Sequence, residues 1–418
     1  MYISLPDRRA RKSPASAGIP VTRVSSVVVT LGIVSMLTDI SSESVASILP
    51  LYITGALGLS TIAYGFIDGI YQGVSAIVRI GGGWASDRAD HPKWVAFFGY
   101  GISAAAKIWL LFASGFAAIA TVIAVDRLGK GVRTAPRDTL ITVSSDDTNL
   151  GRSFGVHRML DTIGAALGPL LAFVILFFLP TGYHVIFIVS LAFATVGVIL
   201  LGLLVPGRRP RRERAVTGEA ARPFRWRALA DPRLRRLALA AGVFAVLTVG
   251  DGFIYLVLQA RSPFAALWFP LLYVGTNVAF FIFAVPFGRL ADRIGRGKMF
   301  VFGHCGLLAA YACAALPLGG AAITVVCLVL LGAFYAATDG VLAALAGEFT
   351  PKDSTASGIA TAQTVVALGR LIGSTGFGVL WFAVGSQIAI AIVAVALAVA
   401  IPAVLVVMRP LITERQRA

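Results

Sequence analysis

The chain has 418 residues, 57% of them hydrophobic and only 13% charged, with a mean hydropathy of +0.85. Soluble domains carry about 25% charged residues, so neither a water-soluble fold nor a disordered chain fits this composition. Cys305, Cys313 and Cys327 are few, odd in number and set in apolar stretches, which excludes a secreted disulfide scaffold. The composition is that of an integral membrane protein.

The formal charge of +16 is concentrated rather than spread. Residues 207–236 hold eleven arginines against Glu213, Glu219 and Asp231, a net +8, and residues 1–23 add a net +4. Both segments flank apolar runs, as the positive-inside bias predicts for cytoplasmic segments. No structured basic module interleaved with aromatics accompanies the charge, so nucleic acid is not an expected partner.

A helix needs about 20 apolar residues to cross a bilayer. Reading the runs between glycine, proline and charge predicts twelve spans, near 25–53, 61–86, 93–114, 117–138, 151–179, 184–205, 234–260, 267–290, 298–316, 320–346, 355–382 and 387–408. The first is too long for a signal-peptide core and lacks a cleavage site, so it reads as a retained helix. One alternating set of connections holds only Arg261, whereas the other set and both termini are basic. The expectation is a multi-pass protein of the cytoplasmic (inner) membrane with both termini cytoplasmic.

Two landmarks recur at one offset. Gly83-Trp-Ala-Ser-Asp87-Arg88 and Gly288-Arg-Leu-Ala-Asp292-Arg293 lie 205 residues apart, and so do Gly164-x-x-x-Gly168 and Gly369-x-x-x-Gly373. A duplicated six-helix unit explains both. The expected organisation is a basic N-tail (1–24), a six-helix bundle (25–205), a basic linker (206–233), a second bundle (234–408) and a C-tail (409–418). The fold class is all-α integral membrane, with 12 transmembrane helices in two pseudo-symmetric six-helix bundles.

These residues resemble the major facilitator superfamily, whose loop signature between helices 2 and 3 is Gly, three residues, Asp, a basic residue, then Gly and a basic cluster. The copy from Gly288 through Asp292, Arg293 and Gly295 to Lys298 follows it, whereas the first copy has Asp90 where Gly is usual. Arg127 with Gly129 and Gly131 is similar to the family's helix-4 motif. Gly164 and Gly168 with Pro169 resemble the helix-5 motif of drug/proton antiporters, and the stretch from Asp126 to Asp138 resembles prokaryotic resistance-type permeases. The resemblance implies alternating access, with Gly83, Asp87, Arg88, Gly288, Asp292, Arg293, Gly164, Gly168 and Pro169 in gating. Gly83 and Gly288 are expected to let backbones approach closely.

A charged side chain at mid-membrane costs at least ~2.5–3.5 kcal/mol, so each is a candidate for function. The first half carries Asp39, Glu43, Asp68, Arg79, Lys107, Asp126, Arg127, Lys130, His157, Arg158 and Asp161; the second has mainly Asp251, His304, Asp339 and Arg370. Asp39 and Glu43 are four apart on one helix face. Two carboxylates so close in a low dielectric disfavour double ionisation, so with Asp68 they are the expected proton carriers. Candidates for the substrate site are Tyr71, Gln72, Lys107, Asp126, Arg127, Lys130, His157, Arg158 and Asp161, joined by Asp251, Asn277 and Asp339 from the second half. Pairing within the protein is the competing role for these charges. Tyr255, Tyr273, Phe280 and Tyr335 are candidates for an apolar wall.

No phosphate-binding loop, His-Glu-x-x-His, Cys-x-x-Cys or Gly-x-Ser-x-Gly motif occurs, so no cofactor, metal site or enzymatic activity is expected. The reading is a monomeric secondary active transporter in the lipid bilayer, exporting a small molecule such as a drug or metabolite by exchange with protons. Proton-coupled uptake and divalent metal-ion export are the alternatives.

Overall fold

In the computed structural model the apolar runs become helices, interrupted at the glycines, prolines and charges that separate them. The structure describes residues 24–88, 92–145, 149–207, 231–261, 264–316, 319–350 and 355–413. Nearly all of the expected N-tail, most of the 206–233 linker and the end of the C-tail lie outside these. The side chains of Gly83, Asp87 and Arg88 do as well, and that of Arg79.

The helices are α1 (Ser26–Leu51), α2 (Thr61–Arg88), α3 (Pro92–Leu110), α4 (Gly115–Val143), α5 (Leu150–Phe178), α6 (Tyr183–Leu204), α7 (Pro232–Val246), α8 (Asp251–Arg261), α9 (Phe269–Ile294), α10 (Arg296–Ala315), α11 (Ala321–Glu348), α12 (Thr355–Val384) and α13 (Ser386–Thr413). Helices α7 and α8 are two parts of one span, so the chain crosses twelve times. Among the described residues, nine of the spans are long and apolar enough to cross a membrane by composition alone. Helices α2, α3 and α4 are outside that set, and α3 and α4 carry buried Lys107, Asp126, Arg127 and Arg133.

Several helix ends differ from the sequence expectation, α13 among them by running to Thr413 instead of ending near 408, and two differences bear on the site. The fourth span runs on to Val143 instead of ending near 138. Arg137 and Asp138 do not stop it, because Arg137 turns sideways to Asp138 at 3.0 Å, Asp161 at 3.9 Å and Ser35 at 3.3 Å. The seventh span is not continuous: it opens at Leu247–Gly250. The Tyr311 phenol fills the opening, accepting from the Val249 N–H at 2.7 Å and donating to the Leu247 carbonyl at 3.0 Å. Irregular backbone at membrane depth needs this kind of internal satisfaction.

Small residues set the packing within each half. Five buried serines (Ser35, Ser41, Ser42, Ser44 and Ser47) line α1, and Ser41 and Ser190 exchange hydrogen bonds across α1 and α6 at 2.7–2.9 Å. Gly164 lies against the Met36 carbonyl, and a Cβ on Gly168 would come within 2.8 Å of the Ser44 nitrogen. The repeat-related pair does the same on the other side: Gly369 and Gly373 seat α12 against Ala245 and Val246 of α7. The shared offset therefore marks one packing solution used twice, in which two helix backbones touch directly. Gly288 differs from the expectation. Among the described residues a Cβ there would meet nothing within 4 Å, so none of them brings its backbone close at that position.

The halves meet along α2 and α12. Gly65, Gly69 and Gly73, one turn apart, face Ser374, Leu371 and Ala367, and Thr61 donates to the Gly378 carbonyl at 3.1 Å. At the end of the bundle away from the chain termini, Phe253 packs on Tyr64, Phe377 and Trp381 with ring centroids 4.6, 4.9 and 5.5 Å apart. Phe173 meets Trp268 at 5.1 Å at the same end.

Gly168→Val forces α1 and α5 apart and is expected to cost about 1–3 kcal/mol, read as a lowered unfolding temperature of purified protein in detergent. Gly288→Ala is expected to leave that temperature unchanged.

Candidate functional site

Between the halves lies a cavity of about 980 Å³. Its lining reaches from Tyr64 and Gly252, under the aromatic closure, to Gly155, Arg158 and Asp339, near the ends of α5 and α11 that share a face with the termini. The cavity therefore extends toward the terminal face, and the opposite end is sealed.

Of the expected site residues, Glu43, Asp68, Tyr71, Gln72, Arg158, Asp251, Asn277 and Asp339 line it. Asp68 accepts a hydrogen bond from Ser374 across the interface between the halves. Asp251 opens α8, where a carboxylate complements the positive end of the helix, and accepts from the Tyr335 hydroxyl at 2.7 Å. The broken span places this residue: Gly250 and Gly252 have no side chain, so Asp68 and Tyr64 reach the backbone on either side of it. Asp339 faces Arg370 at 3.9 Å, and the Arg370 guanidinium lies 5.8 Å from the Tyr335 ring.

A second group sits behind the wall, inside the amino-terminal half. Asp126 takes Lys107 on one oxygen at 3.1 Å and Arg127 on the other at 2.6 Å, all three nearly sealed from solvent. The Arg127 guanidinium stacks 3.9 Å from the Tyr71 ring, whose hydroxyl donates to Glu43 at 3.4 Å. Tyr71 thus separates this triad from the cavity. Lys107, Asp126 and Arg127, expected at the substrate site, are brought together as an ion cluster off the cavity surface. A void of about 10 Å³ lies between the triad and Ser42.

Lys130 links the two regions, 3.6 Å from Asp39 and 4.0 Å from Glu43. Arg133 adds a contact to Asp39 at 4.0 Å and stacks 4.4 Å from the Tyr100 ring. The two carboxylates therefore share one lysine: Glu43 faces the cavity and Asp39 faces inward. Asp161 pairs with Arg158 at 3.3 Å and Arg137 at 3.9 Å. His157, a candidate for the substrate site, is buried with neither ring nitrogen hydrogen-bonded among the described residues, and it is Arg158 that meets Asp161. His304 stacks on Phe244 at 3.8 Å and bonds the Phe300 carbonyl at 2.8 Å, a core position. On the second-half loop, Asp292 meets Arg296 at 3.1 Å, Arg296 meets Glu348 at 3.4 Å, and Gly295 turns the chain with φ +100°.

Ser374 and Tyr311 were not legible as site residues. A serine in an apolar helix and a lone tyrosine carry no sequence signal, although Gly250-Asp251-Gly252 inside an apolar run does flag the broken span.

Asp126→Ala leaves Lys107 and Arg127 buried without their counter-charge and is expected to cost roughly 3–5 kcal/mol. Replacing Lys107 and Asp126 together by Met and Leu is expected to recover part of that loss in the same detergent unfolding assay.

The sequence model described as the Major Facilitator Superfamily matches residues 31–374 and 262–417. An uncharacterized MFS-type transporter of Methanocaldococcus jannaschii is 28% identical over 364 residues, 84% of this chain and 87% of the relative. An uncharacterized protein of Mycobacterium tuberculosis is 27% identical over 278 residues, 64% of this chain and 66% of its own. Among solved structures, a mutant of the nucleoside transporter NupG superposes with TM-score 0.79 at 14% identity, covering 91% of this chain and all of the other. A POT family transporter in complex with 5-aminolevulinic acid gives 0.78 at 14% identity over 93% and 97%. An inward-facing bacterial homolog of the lysosomal transporter Spinster gives 0.73 at 15% over 92% and 96%. The twelve-span architecture, the two-half cavity and the sequence match together establish that this chain is a transporter of the Major Facilitator Superfamily.

Proposed function

We propose that the protein exports a small molecule in exchange for protons, with Glu43, Asp39 and Asp68 as the coupling carboxylates. The observation that carries this reading is the shared lysine. Lys130 lies within 4.0 Å of both Glu43 and Asp39, so one cation serves two acids, and only Glu43 is on the cavity wall. A proton on either acid releases Lys130 to the other, which ties occupancy of the cavity wall to the protonation of the interior. Asp68, hydrogen-bonded across the halves, is positioned to sense their separation.

The basic termini and linker favour a cytoplasmic side for both termini in the inner membrane. In that orientation the cavity reaches the cytoplasm, and the Phe253 cluster is the outer seal. A single chain holds the whole cavity, so a monomer suffices. Among the described residues no group of three His, Cys, Asp or Glu side chains is arranged to hold a metal ion, which leaves the metal-export alternative without a site of its own.

The test is transport in proteoliposomes with a pH-sensitive dye trapped inside. Substrate driven down its gradient is expected to move protons the opposite way in wild type. Asp39→Asn with Glu43→Gln is expected to abolish that proton flux while the protein remains folded. Protons moving with the substrate would make the protein a symporter, and unchanged flux in the double variant would remove the carboxylate pair from coupling.

A further inference from the structure

Among the described residues the cavity wall carries more carboxylates than cations. Four carboxylates line it (Glu43, Asp68, Asp251 and Asp339) against two cations, Arg158 and Arg370. Both cations are engaged: Arg370 faces Asp339 at 3.9 Å, and Arg158 holds Asp161, behind the wall, at 3.3 Å. The remaining three acids are held mainly by neutral donors. Asp251 takes the Tyr335 hydroxyl, Asp68 takes Ser374, and Glu43 takes the Tyr71 hydroxyl, with Lys130 at the 4.0 Å edge and closer to Asp39. Among the described residues no cation lies within ion-pair distance of Asp68 or Asp251.

These three acids line one cavity, beside Tyr273 of α9. Asp68 approaches Gly250, the residue beside Asp251. The two halves therefore bring acids from both sides to one place, and aromatic side chains wall it: Tyr64, Tyr71, Tyr273, Phe280 and Tyr335. Uncompensated carboxylates attract a cation. Aromatic faces bind cations through their quadrupole and also cover an apolar body. An inorganic cation would need several oxygens converging at ligand distance, and the described residues hold no such group. At about 980 Å³ the cavity suits an organic molecule.

We infer that the cargo is an organic cation with an apolar or aromatic body, its charge held between Glu43 and Asp68 of one half and Asp251 of the other. This deepens the transporter reading and rests on its cavity, but not on the direction of transport or the coupling ion. Contact with acids of both halves also gives the cargo a way to bias the transition between them.

The test uses two probes of nearly one shape and opposite charge, tetraphenylphosphonium and tetraphenylborate, in equilibrium binding to the purified full-length protein in detergent. Saturable binding of the phosphonium, with the borate at least tenfold weaker, is expected. Asp251→Asn and Asp68→Asn are each expected to weaken phosphonium binding about tenfold, and Asp68→Glu to retain it. Size-exclusion profile and unfolding temperature check that each variant is folded, and benzyltrimethylammonium serves as a second, smaller cation. Borate binding as tight as the phosphonium, phosphonium binding unchanged in both neutral variants, no binding of either cation, or displacement of the phosphonium by equal concentrations of manganese or zinc would each overturn the inference. Because binding in detergent needs no gradient, failure of proton coupling in vesicles leaves this result standing, and the converse holds.

Discussion

A charged side chain taken into a bilayer must find a counter-charge inside the protein or forfeit several kcal/mol. That constraint organises the amino-terminal half. From Lys107 the contacts run to Asp126, Arg127, the Tyr71 ring and hydroxyl, Glu43, Lys130 and Asp39, with Arg133 and Arg137 extending them toward the terminal face. Each group is the partner of the next, so α1, α2, α3 and α4 are held in register by charge as well as by packing. The chain of contacts is continuous from a sealed triad to a carboxylate on the cavity wall. Tyr71 is the joint, because its face holds Arg127 and its edge holds Glu43.

The carboxyl-terminal half solves the same fold with different means. Its glycines repeat the helix packing of the first half, with Gly369 and Gly373 standing where Gly164 and Gly168 stand. Its polar chemistry is instead produced by breaking a helix. The opening at Leu247–Gly250, held by Tyr311, presents Asp251 at the start of α8, opposite Asp68. One half thus contributes a buried network and the other an acid mounted on a helix end, with an aromatic wall between them.

The contact between halves is made of the smallest side chains available. Gly65, Gly69, Gly73 and Gly378 let α2 and α12 touch along several turns, and the Phe253 cluster closes the end beyond them. A surface of glycine and small polar groups has few interlocking side chains to undo, which suits an interface that must part and re-form. Asp68 lies within that interface and also on the cavity wall, so it belongs to both the closure and the site.

Apolar runs and the glycine, proline and charge breaks between them marked the twelve spans, nine of which are apolar enough to cross a bilayer by composition alone. The 205-residue offset determined the duplication, since glycines needed at a backbone contact recur wherever that contact recurs. The sequence also marked which residues carry chemistry, because a charge inside an apolar run is costly wherever it points. What it could not decide was direction. Asp126 read as a substrate-site candidate and Glu43 as a proton carrier, yet the turn of α4 sends Asp126 into a sealed triad while α1 sends Glu43 to the cavity. Arg137 reaches sideways from α4 to Asp161 of α5, a pairing that spacing along either helix does not encode. Ser374 met Asp68 from 306 residues away, a distance no periodicity encodes. Only the packing of helices distant in sequence decides which buried charges neutralise one another, and so which are left to face a cargo.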